Sequence, residues 1–387
     1  METDMLVARR MEQIPFSKIR KVFEEVIRRE QKGEKIIHLE VGRPDFDTPD
    51  HIKEACKNAI DRGQVHYTSN YGIPELRKAV AQKLLLENKI KYDPETELII
   101  TSGVTEAIFM SMMALLNPGD EVLVSTPCFP AYLTAIKLAG AKPVEVPLNE
   151  VDGFRPDVSK MQTRITSRTR MLIVNTPCNP TGAVYDWSAL EGLANMAIEN
   201  DLLVMSDEIY EKMVFNGAEH FSIASLPGMV SRTLTLNGFS KNYSMTGWRI
   251  GYVAAPSNLI GAMLRIRQYV TVCPTSFAQY GAVAALTESQ ECLQEMVTEF
   301  SRRRELVYRE LSNMRSITVC EPQGAFYMLP NVSGLSLQPV DLAHYLLDEA
   351  KIAVVPWGKE HIRISYANSY ENLQKAMQDM HSAIDRL

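Results

Sequence analysis

The chain has 387 residues, of which 45% are hydrophobic, and its formal net charge is -6. This length is sufficient for two domains with a sizeable hydrophobic core. The acidic balance argues against a nucleic-acid-binding protein, because phosphate backbones are held mainly by clustered lysines and arginines.

The first 30 residues mix charges into every turn and contain no apolar run followed by a small-residue cleavage site, so they predict no secretory signal. No stretch approaches the ~20 apolar residues that a membrane helix requires. The six cysteines lie far apart without a C-x-x-C pair, which indicates reduced thiols rather than a zinc site or a redox dithiol. We therefore expect a cytoplasmic protein without a metal, a membrane or a nucleic-acid partner.

Short apolar runs with the pattern of buried strands alternate with longer amphipathic segments. The strand candidates are ELIITSG, DEVLVST, KPVEVPL, RMLIVNT, DLLVMSD and RTLTLNG. The helix candidates between them are TEAIFMSMMALL, FPAYLTAIKLAG and WSALEGLANMAIEN. This alternation predicts an α/β fold with a mostly parallel sheet that is covered by helices on both faces.

The pattern changes towards the C-terminus. A long charged segment, QECLQEMVTEFSRRRELVYRELSNM, predicts a helix, and the strand-like segments ITVCEPQGAFYMLP and HIRISYA follow it. This order of elements indicates a separate, smaller α+β domain.

Polar residues follow several predicted strands, where open parallel sheets bind their ligands. Ser102 and Gly103 precede a helix, so the N–H groups of Gly103 and Val104 are expected to face an anion. Asn179, in the turn CNPTG, either points its amide into this cleft or forms an Asx-turn. Asp207 ends the run LLVMS, where a buried carboxylate requires a positive partner unless it caps a helix.

Lys241 lies in SFSKNYSMTGWRIGY, eight residues before Arg249. A lysine amine forms Schiff bases with carbonyl compounds when its surroundings lower its pKa, although most lysines are solvated surface charges. Arg363 alternates with apolar residues in HIRIS. Its planar guanidinium matches a carboxylate if it faces inward, whereas an outward side chain is an ordinary edge-strand charge.

The run SFSKNYSMTGWRIGY resembles the lysine segment of the class I/II aminotransferases, which are enzymes of fold type I that use pyridoxal 5'-phosphate (PLP). The resemblance continues, in the family's order, through YTSNYGIPELR, TSGVTEA, NTPCNPTGAVY, SDEIYEK, PQGAFYMLP and HIRISYA. It implies a large PLP-binding domain at residues 46–285 with a seven-stranded sheet. It assigns residues 1–45 and 286–387 to the small domain.

The resemblance also implies roles for individual residues. Lys241 is the Schiff-base lysine and general base, Asp207 keeps the cofactor ring nitrogen protonated, and Tyr210 reaches the phenolic oxygen of PLP. Further contacts to PLP are implied for Ser102, Gly103, Val104, Phe129, Asn179, Ser240, Arg249 and, from the neighbouring subunit, Tyr67. Gly42, Asn179 and Arg363 are implied to bind the substrate. A homodimer with shared active sites follows from the implied role of Tyr67.

The function implied is a ping-pong transfer of an amino group from an L-amino acid to a 2-oxo acid, with 2-oxoglutarate as the expected acceptor and a broad range of donors. The same lysine, aspartate and arginines also serve β-eliminating lyases, cyclopropane-forming synthases and amino-acid oxidases on this scaffold. A non-catalytic effector-binding module is a further alternative. The complete catalytic set and the lack of a winged-helix segment at the N-terminus argue against such a module.

Two departures from the family pattern concern substrate access. In the segment VVPWGKEHIRIS, only a few residues separate VVP from the strand HIRIS, which carries Arg363. Trp357 lies in this short connection, where many relatives have a longer glycine-rich loop. Phe16 occupies a position where relatives often have proline or a smaller residue. We expect these residues to reshape the entrance to the site, so substrate specificity does not follow from the family motifs.

Overall fold

The computed structural model describes residues 7–387. Residues 1–6 lie outside the described residues. The sequence analysis predicts that they belong to no signal peptide and that they begin the small domain. The strands in this part of the chain are β1 (Ile37–His38), β2 (Leu98–Thr101), β3 (Glu121–Thr126), β4 (Lys142–Pro147), β5 (Thr169–Asn175), β6 (Leu203–Asp207), β7 (Thr233–Gly238), β8 (Gly251–Ala254), β9 (Tyr327–Met328), β10 (Ile352–Ala353), β11 (Val355–Trp357) and β12 (His361–Ser365).

Helices separate most of these strands. The α-helices are α1 (Lys18–Glu30), α2 (Asp50–Asp61), α3 (Pro74–Lys83), α4 (Val104–Leu115), α5 (Pro130–Leu138), α6 (Val158–Gln162), α7 (Trp187–Glu199), α8 (Ser257–Val270), α9 (Ser276–Thr287), α10 (Glu291–Ser312), α11 (Pro339–Glu349) and α12 (Tyr370–Ile384). Short 3-10 turns at Arg9–Gln13 and Ile223–Ser225 and a π-helical turn at Leu84–Asn88 complete the described elements.

The centre of the molecule is a seven-stranded sheet in the order β2-β8-β7-β6-β5-β3-β4. Only β8 runs antiparallel to its neighbours, β2 and β7, so the prediction of a mostly parallel α/β sheet is confirmed. The strand-like runs of the sequence supply six of the seven strands. The seventh, β8, has four residues and begins with a glycine, which made it inconspicuous in the sequence.

The sheet is buried on both faces because helices cover each side. Along β5, Met171 and Ile173 pack on the face covered by α4, α5 and α8, whereas Leu172 and Val174 pack on the opposite face with α7. The same opposite face is covered by α2, α3 and α9 further along the sheet. Strands that are buried on both sides must be apolar at nearly every position, which explains the continuous apolar runs of the sequence.

The C-terminal part of the chain forms a smaller lobe. A three-stranded antiparallel sheet in the order β11-β12-β9 packs with α10, α11 and α12. The N-terminal strand β1 pairs in parallel with β10, so the two ends of the chain meet here. The apolar core of this lobe also includes Tyr210, Met213 and Phe215, which follow β6, and the two lobes therefore share a continuous core.

Among residues 7–387, no helix combines the length and the apolar character that crossing a lipid bilayer requires.

Phe300 lies at the centre of the small-lobe core. Its ring is fully buried and lies 5.3 Å from the ring of Phe326 and 5.5 Å from that of Phe46, measured between centroids. Replacing Phe300 with alanine leaves a cavity between these rings, so we expect the free energy of unfolding to fall by about 3–5 kcal/mol. Urea denaturation at fixed protein concentration measures this change.

The control is Val151→Ala, because Val151 is 90% exposed and its truncation leaves no cavity. A urea midpoint that falls equally in both variants would contradict the assignment of Phe300 to the core.

Candidate functional site

A cavity of about 410 Å³ opens at the carboxyl ends of β5, β6 and β7, between the two lobes. Its walls include ten of the residues that the sequence predicted for the site: Gly42, Val104, Phe129, Asn179, Asp207, Tyr210, Ser240, Lys241, Arg249 and Arg363. Ser102 and Gly103 lie directly behind this wall, against Arg249. Tyr67 does not line the cavity and is 87% exposed.

Lys241 projects into the cavity from the turn that follows β7. Its Nζ donates a hydrogen bond to the backbone oxygen of Gly42 at 2.6 Å. Burial lowers the pKa of Lys241 to about 8, and the positive charges of Arg363 and Arg249 add to this effect, while Asp207 opposes it. About a tenth of this lysine is therefore neutral at pH 7 and able to act as a nucleophile, far more than of a lysine with an ordinary pKa.

Asp207 is the last residue of β6 and is 3% exposed. Its Oδ2 accepts a hydrogen bond from the hydroxyl of Tyr132 at 2.7 Å, and its Oδ1 accepts the N–H of Ile209 at 3.2 Å. Burial raises the pKa of Asp207 to about 6, although these hydrogen bonds and the charge of Lys241 counteract the rise. The alternative that Asp207 caps a helix is wrong, because the residues that follow it form a turn rather than a helix. The carboxylate accepts one N–H of this turn and also lines the cavity, where a cationic partner would stabilise its ionised form.

The turn between β2 and α4 has the features of an anion cradle. Gly103 has a φ of 78° and is the N-cap of α4, so the free N–H groups and the positive end of the helix dipole lie at this turn. The Arg249 guanidinium donates to the backbone oxygens of Thr246 at 3.0 Å and of Ser102 at 3.5 Å. A β-carbon on Gly103 would collide with this guanidinium unless Arg249 shifted, and the positive φ also disfavours any other residue at this position.

Arg363 lies in β12 and is 1% exposed. Its Nη1 donates to Oδ1 of Asn179 at 3.1 Å and its Nη2 donates to the backbone oxygen of Glu40 at 2.6 Å, while Nε has no hydrogen-bond partner among the described residues. The alternative of an exposed edge-strand charge is therefore wrong. Such a buried guanidinium with an unsatisfied donor is suited to a carboxylate that enters the cavity.

Asn179 bridges the CNPTG turn to this arginine. Its backbone N–H donates to Oδ1 of Asn175 at 3.1 Å, and Nδ2 of Asn175 donates to the backbone oxygen of Asp207 at 3.0 Å. The ends of β5 and β6 are thereby joined beneath the cavity floor. The side-chain amide of Asn179 accepts a hydrogen bond from Arg363, which belongs to a distant segment of the chain. This agrees with the interpretation that the amide points into the cleft.

Tyr210 and Gly42 both pack against Tyr327, a residue that the sequence analysis did not single out. The hydroxyls of Tyr210 and Tyr327 lie 2.8 Å apart, and burial raises the pKa of Tyr210 well above its ordinary value. A β-carbon on Gly42 would collide with the phenol of Tyr327. Gly42 thus allows close packing of the chain against this tyrosine, and its backbone oxygen accepts the hydrogen bond from Lys241.

Phe129 and Tyr67 differ sharply in burial. Phe129 is the N-cap residue of α5 and its half-buried ring lies at the cavity wall, 5.7 Å from the ring of Tyr132. Tyr67 is in an exposed segment whose neighbour Thr68 accepts a hydrogen bond from Gln279 at 3.2 Å. Gln279 also donates to Pro274, so this segment lies beside the chain that follows α8. Tyr269 and Val270, the last two residues of α8, are exposed as well.

Three further residues of the site were missed by the sequence analysis: Tyr132, Asn175 and Tyr327. Tyr132 lies on an apolar helix, and Tyr327 lies on a two-residue strand, so neither carried a signal of its own. Asn175 is the last residue of the predicted strand RMLIVN, and its position at a strand end was the signal that could have identified it.

A buried polar network lies beside Asp207 and was also missed. Glu208 accepts hydrogen bonds from Ser206 at 2.8 Å and from Ser222 at 2.6 Å, and its other oxygen lies 3.2 Å from Nε2 of His220. Glu211 forms an ion pair with Lys83 and accepts a hydrogen bond from Asn88 at 2.9 Å. The two glutamates and His220 lie close enough together to share a cation, and the Lys83 ammonium already occupies a place against Glu211.

The short connection before β12 is a tight antiparallel hairpin in which Val355 pairs with Arg363 and Trp357 pairs with His361. The guanidinium carbon of Arg363 lies 5.4 Å from the indole of Trp357 and 4.5 Å from the ring of Tyr327. Trp357 and Phe16 line an apolar groove of about 800 Å³ that adjoins the cavity. Both residues therefore lie next to the entrance region, and Trp357 packs against the buried arginine.

Comparison with known proteins identifies relatives along nearly the whole chain. The family model for "Aminotransferase class I and II" matches residues 34–380. The aspartate aminotransferase of Pyrococcus abyssi is 45% identical and the aromatic-amino-acid aminotransferase 2 of Thermococcus litoralis is 44% identical, each over 98% of both chains. The crystal structure of Pyrococcus protein-A1 superposes with a TM-score of 0.94 at 44% identity, covering 97% of this chain and 98% of that one.

The ion pair of Lys83 with Glu211 generates a stability prediction. Both side chains are nearly buried, and the positive charge of Lys83 holds the pKa of Glu211 at about 2, although burial opposes it. Lys83→Met removes the ammonium that is ion-paired with the buried Glu211 carboxylate and leaves only the charges of His220 and Lys212 near it, so we expect a loss of about 3–5 kcal/mol in the free energy of unfolding at pH 7.

The loss should shrink as the pH falls. In the wild type, the stabilisation from Glu211 persists above its unfolded pKa and disappears only as the pH falls towards 2. In the variant, the unpaired carboxyl takes up a proton at higher pH, because burial then raises its pKa. Urea denaturation at pH 7 and pH 5 measures both effects, with Lys53→Met at an exposed ion pair as the control. A loss of stability that does not depend on pH would contradict this account.

Proposed function

This chain belongs to the class I and II aminotransferases and catalyses the transfer of an amino group, and we propose that it does so with PLP bound at Lys241. The observation that carries the proposal is the position of the Lys241 amine. It lies within one cavity with Asp207, Arg249 and Arg363, and its pKa is lowered to about 8.

The residues present fit PLP at each of its polar groups. The turn at Gly103 and the Arg249 guanidinium suit the phosphate, and Ser240 lies beside them in the same wall. Asp207 has a raised pKa because it is buried without a cation in contact, and a protonated ring nitrogen would meet that need. Tyr210 and Asn179 are candidates for the phenolic oxygen, and Phe129 for the face of the ring. When bound, PLP supplies a carbonyl carbon that accepts the amino group and a ring that accepts electrons.

Lys241 is proposed as the group that moves the proton. Its Nζ lies 2.6 Å from the backbone oxygen of Gly42, which orients the amine without neutralising it. An amine with a pKa of about 8 removes a proton from the α-carbon of an amino acid more readily than it could if it were permanently charged. Gly42 and Tyr327 pack closely together in the cavity wall on this side.

Arg363 is proposed to bind the α-carboxylate of each substrate. Asn179 and the backbone of Glu40 already hold the guanidinium in place, and its Nε has no hydrogen-bond partner among the described residues, so binding requires little reorganisation. One cavity then serves the donor amino acid and the acceptor 2-oxo acid in turn, which is a ping-pong order. Relatives named for aspartate and for aromatic amino acids support a broad donor range. We propose 2-oxoglutarate as the acceptor.

The chain is further proposed to divide into a large domain at residues 46–285 and a small domain formed by 1–45 and 286–387. The pairing of β1 with β10 supports this division, although residues 1–6 lie outside the described part. A homodimer is proposed because Tyr67, Tyr269 and Val270 expose apolar surface on adjoining segments. In such a dimer Tyr67 would reach the phosphate site of the partner.

We also propose that the enzyme acts in the cytoplasm. All six cysteines lie within the described residues, and none of them is paired there. Unpaired thiols are typical of proteins in a reducing compartment.

The amino transfer is tested with a panel of L-amino acids and 2-oxoglutarate. We expect glutamate to form with aspartate and with several neutral or aromatic donors. Borohydride reduction followed by peptide mapping should place the pyridoxyl label on Lys241. Lys241→Ala should lose both the visible absorbance of bound PLP and turnover while remaining folded, whereas Lys375→Ala, at an exposed ion pair, should retain both.

Two outcomes would contradict the proposal. Ammonia, pyruvate or peroxide without glutamate would favour a lyase or an oxidase on this scaffold. A label on another lysine would reject the assignment of Lys241.

The pKa of Lys241 predicts a pH dependence for the cofactor-free protein. Only the neutral amine attacks a carbonyl, so the rate of covalent PLP attachment should rise about tenfold per pH unit below the pKa and level off above pH 8. Arg363→Met removes one of the charges that lower this pKa, so its plateau should begin at higher pH. Stopped-flow absorbance measures the rates. A wild-type rate that is constant between pH 6 and pH 8 would contradict the lowered pKa.

A further inference from the structure

His38 and Glu40 form an ion pair beside Arg363, and the proposed function assigns no role to either side chain. Because the two residues are two positions apart in an extended segment, their side chains lie on the same side of the chain. Nδ1 of His38 lies 2.8 Å from Oε1 of Glu40, which is fully buried. The backbone oxygen of Glu40 accepts the hydrogen bond from Nη2 of Arg363 at 2.6 Å. Glu40 therefore contacts both the histidine and the arginine.

The surroundings of His38 favour its charged form. Its other ring nitrogen, Nε2, lies 2.9 Å from Oε1 of Glu30, the last residue of α1. A neutral imidazole has one N–H and can donate to only one carboxylate, whereas the imidazolium donates to both. The hydrogen bond to Glu40 raises the pKa of His38 to about 9, and Glu30 adds to this rise, although burial opposes it. His38 is therefore a cation at neutral pH.

Charges of alternating sign run from the protein surface to the cavity. Glu30 is 40% exposed, His38 lies between the two glutamates, and Glu40 and Arg363 are buried. Burial lowers the pKa of Arg363, and the carboxylate of Glu40 is one of the groups that oppose this effect, so the two charges interact. Because His38 offsets the charge of Glu40, that carboxylate does not neutralise Arg363. The guanidinium thus keeps its positive charge for a ligand.

The chain next to Glu40 is held by backbone hydrogen bonds on both sides. The N–H of Leu39 donates to the backbone oxygen of Ala353 in β10 at 3.0 Å. The backbone oxygen of Leu39 accepts the N–H of Ser365 in β12 at 2.7 Å. The segment is therefore fixed between two strands. Removing the charge of His38 should change the electrostatics of the site more than its shape.

We propose that His38 and Glu40 are positioning residues for Arg363: Glu40 anchors the guanidinium through its backbone oxygen, and His38 offsets the carboxylate of Glu40 so that Arg363 remains available to the α-carboxylate of the substrate. This proposal rests on the proposed function, because it requires Arg363 to bind that carboxylate. Neither His38 nor Glu40 lines the cavity, so both act through Arg363.

The first test removes the charge of His38 but keeps a hydrogen-bonding side chain. In the His38→Gln holoenzyme, the Glu40 carboxylate has lost its cation and competes with the ligand for Arg363. The affinity for 3-phenylpropionate, a monocarboxylate without an amino group, should fall by roughly tenfold in isothermal titration calorimetry. In the half-reaction, KM should rise by a similar factor for acidic and aromatic donors alike. The value of kcat should change by less than about threefold, because neither residue touches the reacting atoms.

The second test restores the balance of charge. The double variant His38→Gln/Glu40→Gln lacks the uncompensated carboxylate but keeps the backbone oxygen that holds Arg363. Its affinity for 3-phenylpropionate should return to within about threefold of the wild type, whereas a purely structural role predicts a further loss. Glu40→Gln alone should bind the acid at least as tightly as the wild type, and it tests the proposal even if His38→Gln does not fold.

Lys351→Gln is the matched control. Lys351 immediately precedes β10, the strand that pairs with β1, and its ammonium lies 2.8 Å from the carboxylate of Glu34. The substitution removes one positive charge from an ion pair in the same lobe, but not from the pair beside Arg363. Its affinity for 3-phenylpropionate and its KM values should equal those of the wild type.

The outcomes separate this proposal from the proposed function. Wild-type affinity in His38→Gln, weakened binding in Glu40→Gln, or a double variant that binds no better than His38→Gln would overturn the role of the pair while leaving the amino transfer intact. Arg363→Met should bind the same acid much more weakly than the wild type. If it binds the acid equally well, the assignment of Arg363 fails, and the proposal for His38 and Glu40 fails with it.

Discussion

The constraint on which the site depends is the burial of several charges in one cavity. Arg363 and Asp207 are almost completely buried, and Lys241 shares their cavity. A buried charge without partners is strongly unfavourable, so each of these groups must be met by hydrogen bonds or by an opposite charge. Asp207 has Tyr132 and a backbone N–H, and Arg363 has Asn179 and the backbone of Glu40. The fold supplies these partners, and bound substrate and cofactor would complete them.

The partners come from both lobes, which ties the chemistry to the way the lobes pack. Lys241 follows β7 of the large sheet, yet its amine donates to Gly42 near the N-terminus. Tyr210 follows β6, yet its hydroxyl contacts Tyr327 of the small lobe. The core shared by the lobes passes through the same region. A change in the packing of the lobes would therefore alter the environment of the lysine, and its pKa depends on that environment.

The sequence predicted those parts of the site that sheet topology determines. Asn179 and Asp207 follow parallel strands, and the carboxyl ends of such strands meet at one edge, so their proximity could be inferred without coordinates. The partners of Lys83 and Tyr210 could not, because Glu211 is 128 residues from Lys83 and Tyr327 is 117 residues from Tyr210. Contacts at such separations depend on how helices and lobes pack, and no local pattern records them.

The same distinction separates the proposed cofactor contacts from the part of the cavity wall that the small lobe supplies. Apart from Tyr67, the proposed PLP residues lie at strand ends, in the turns beside them and at the start of α4, and the order of the strands in the sheet brings these positions together. Arg20 and Phe23 reach the cavity only because the small lobe, where β1 pairs with β10 and α1 packs near β11, holds α1 against it. Trp357 belongs to that same lobe and packs on Arg363. The packing of the small lobe therefore fixes one wall of the cavity, whereas the strand ends of the large sheet fix the other.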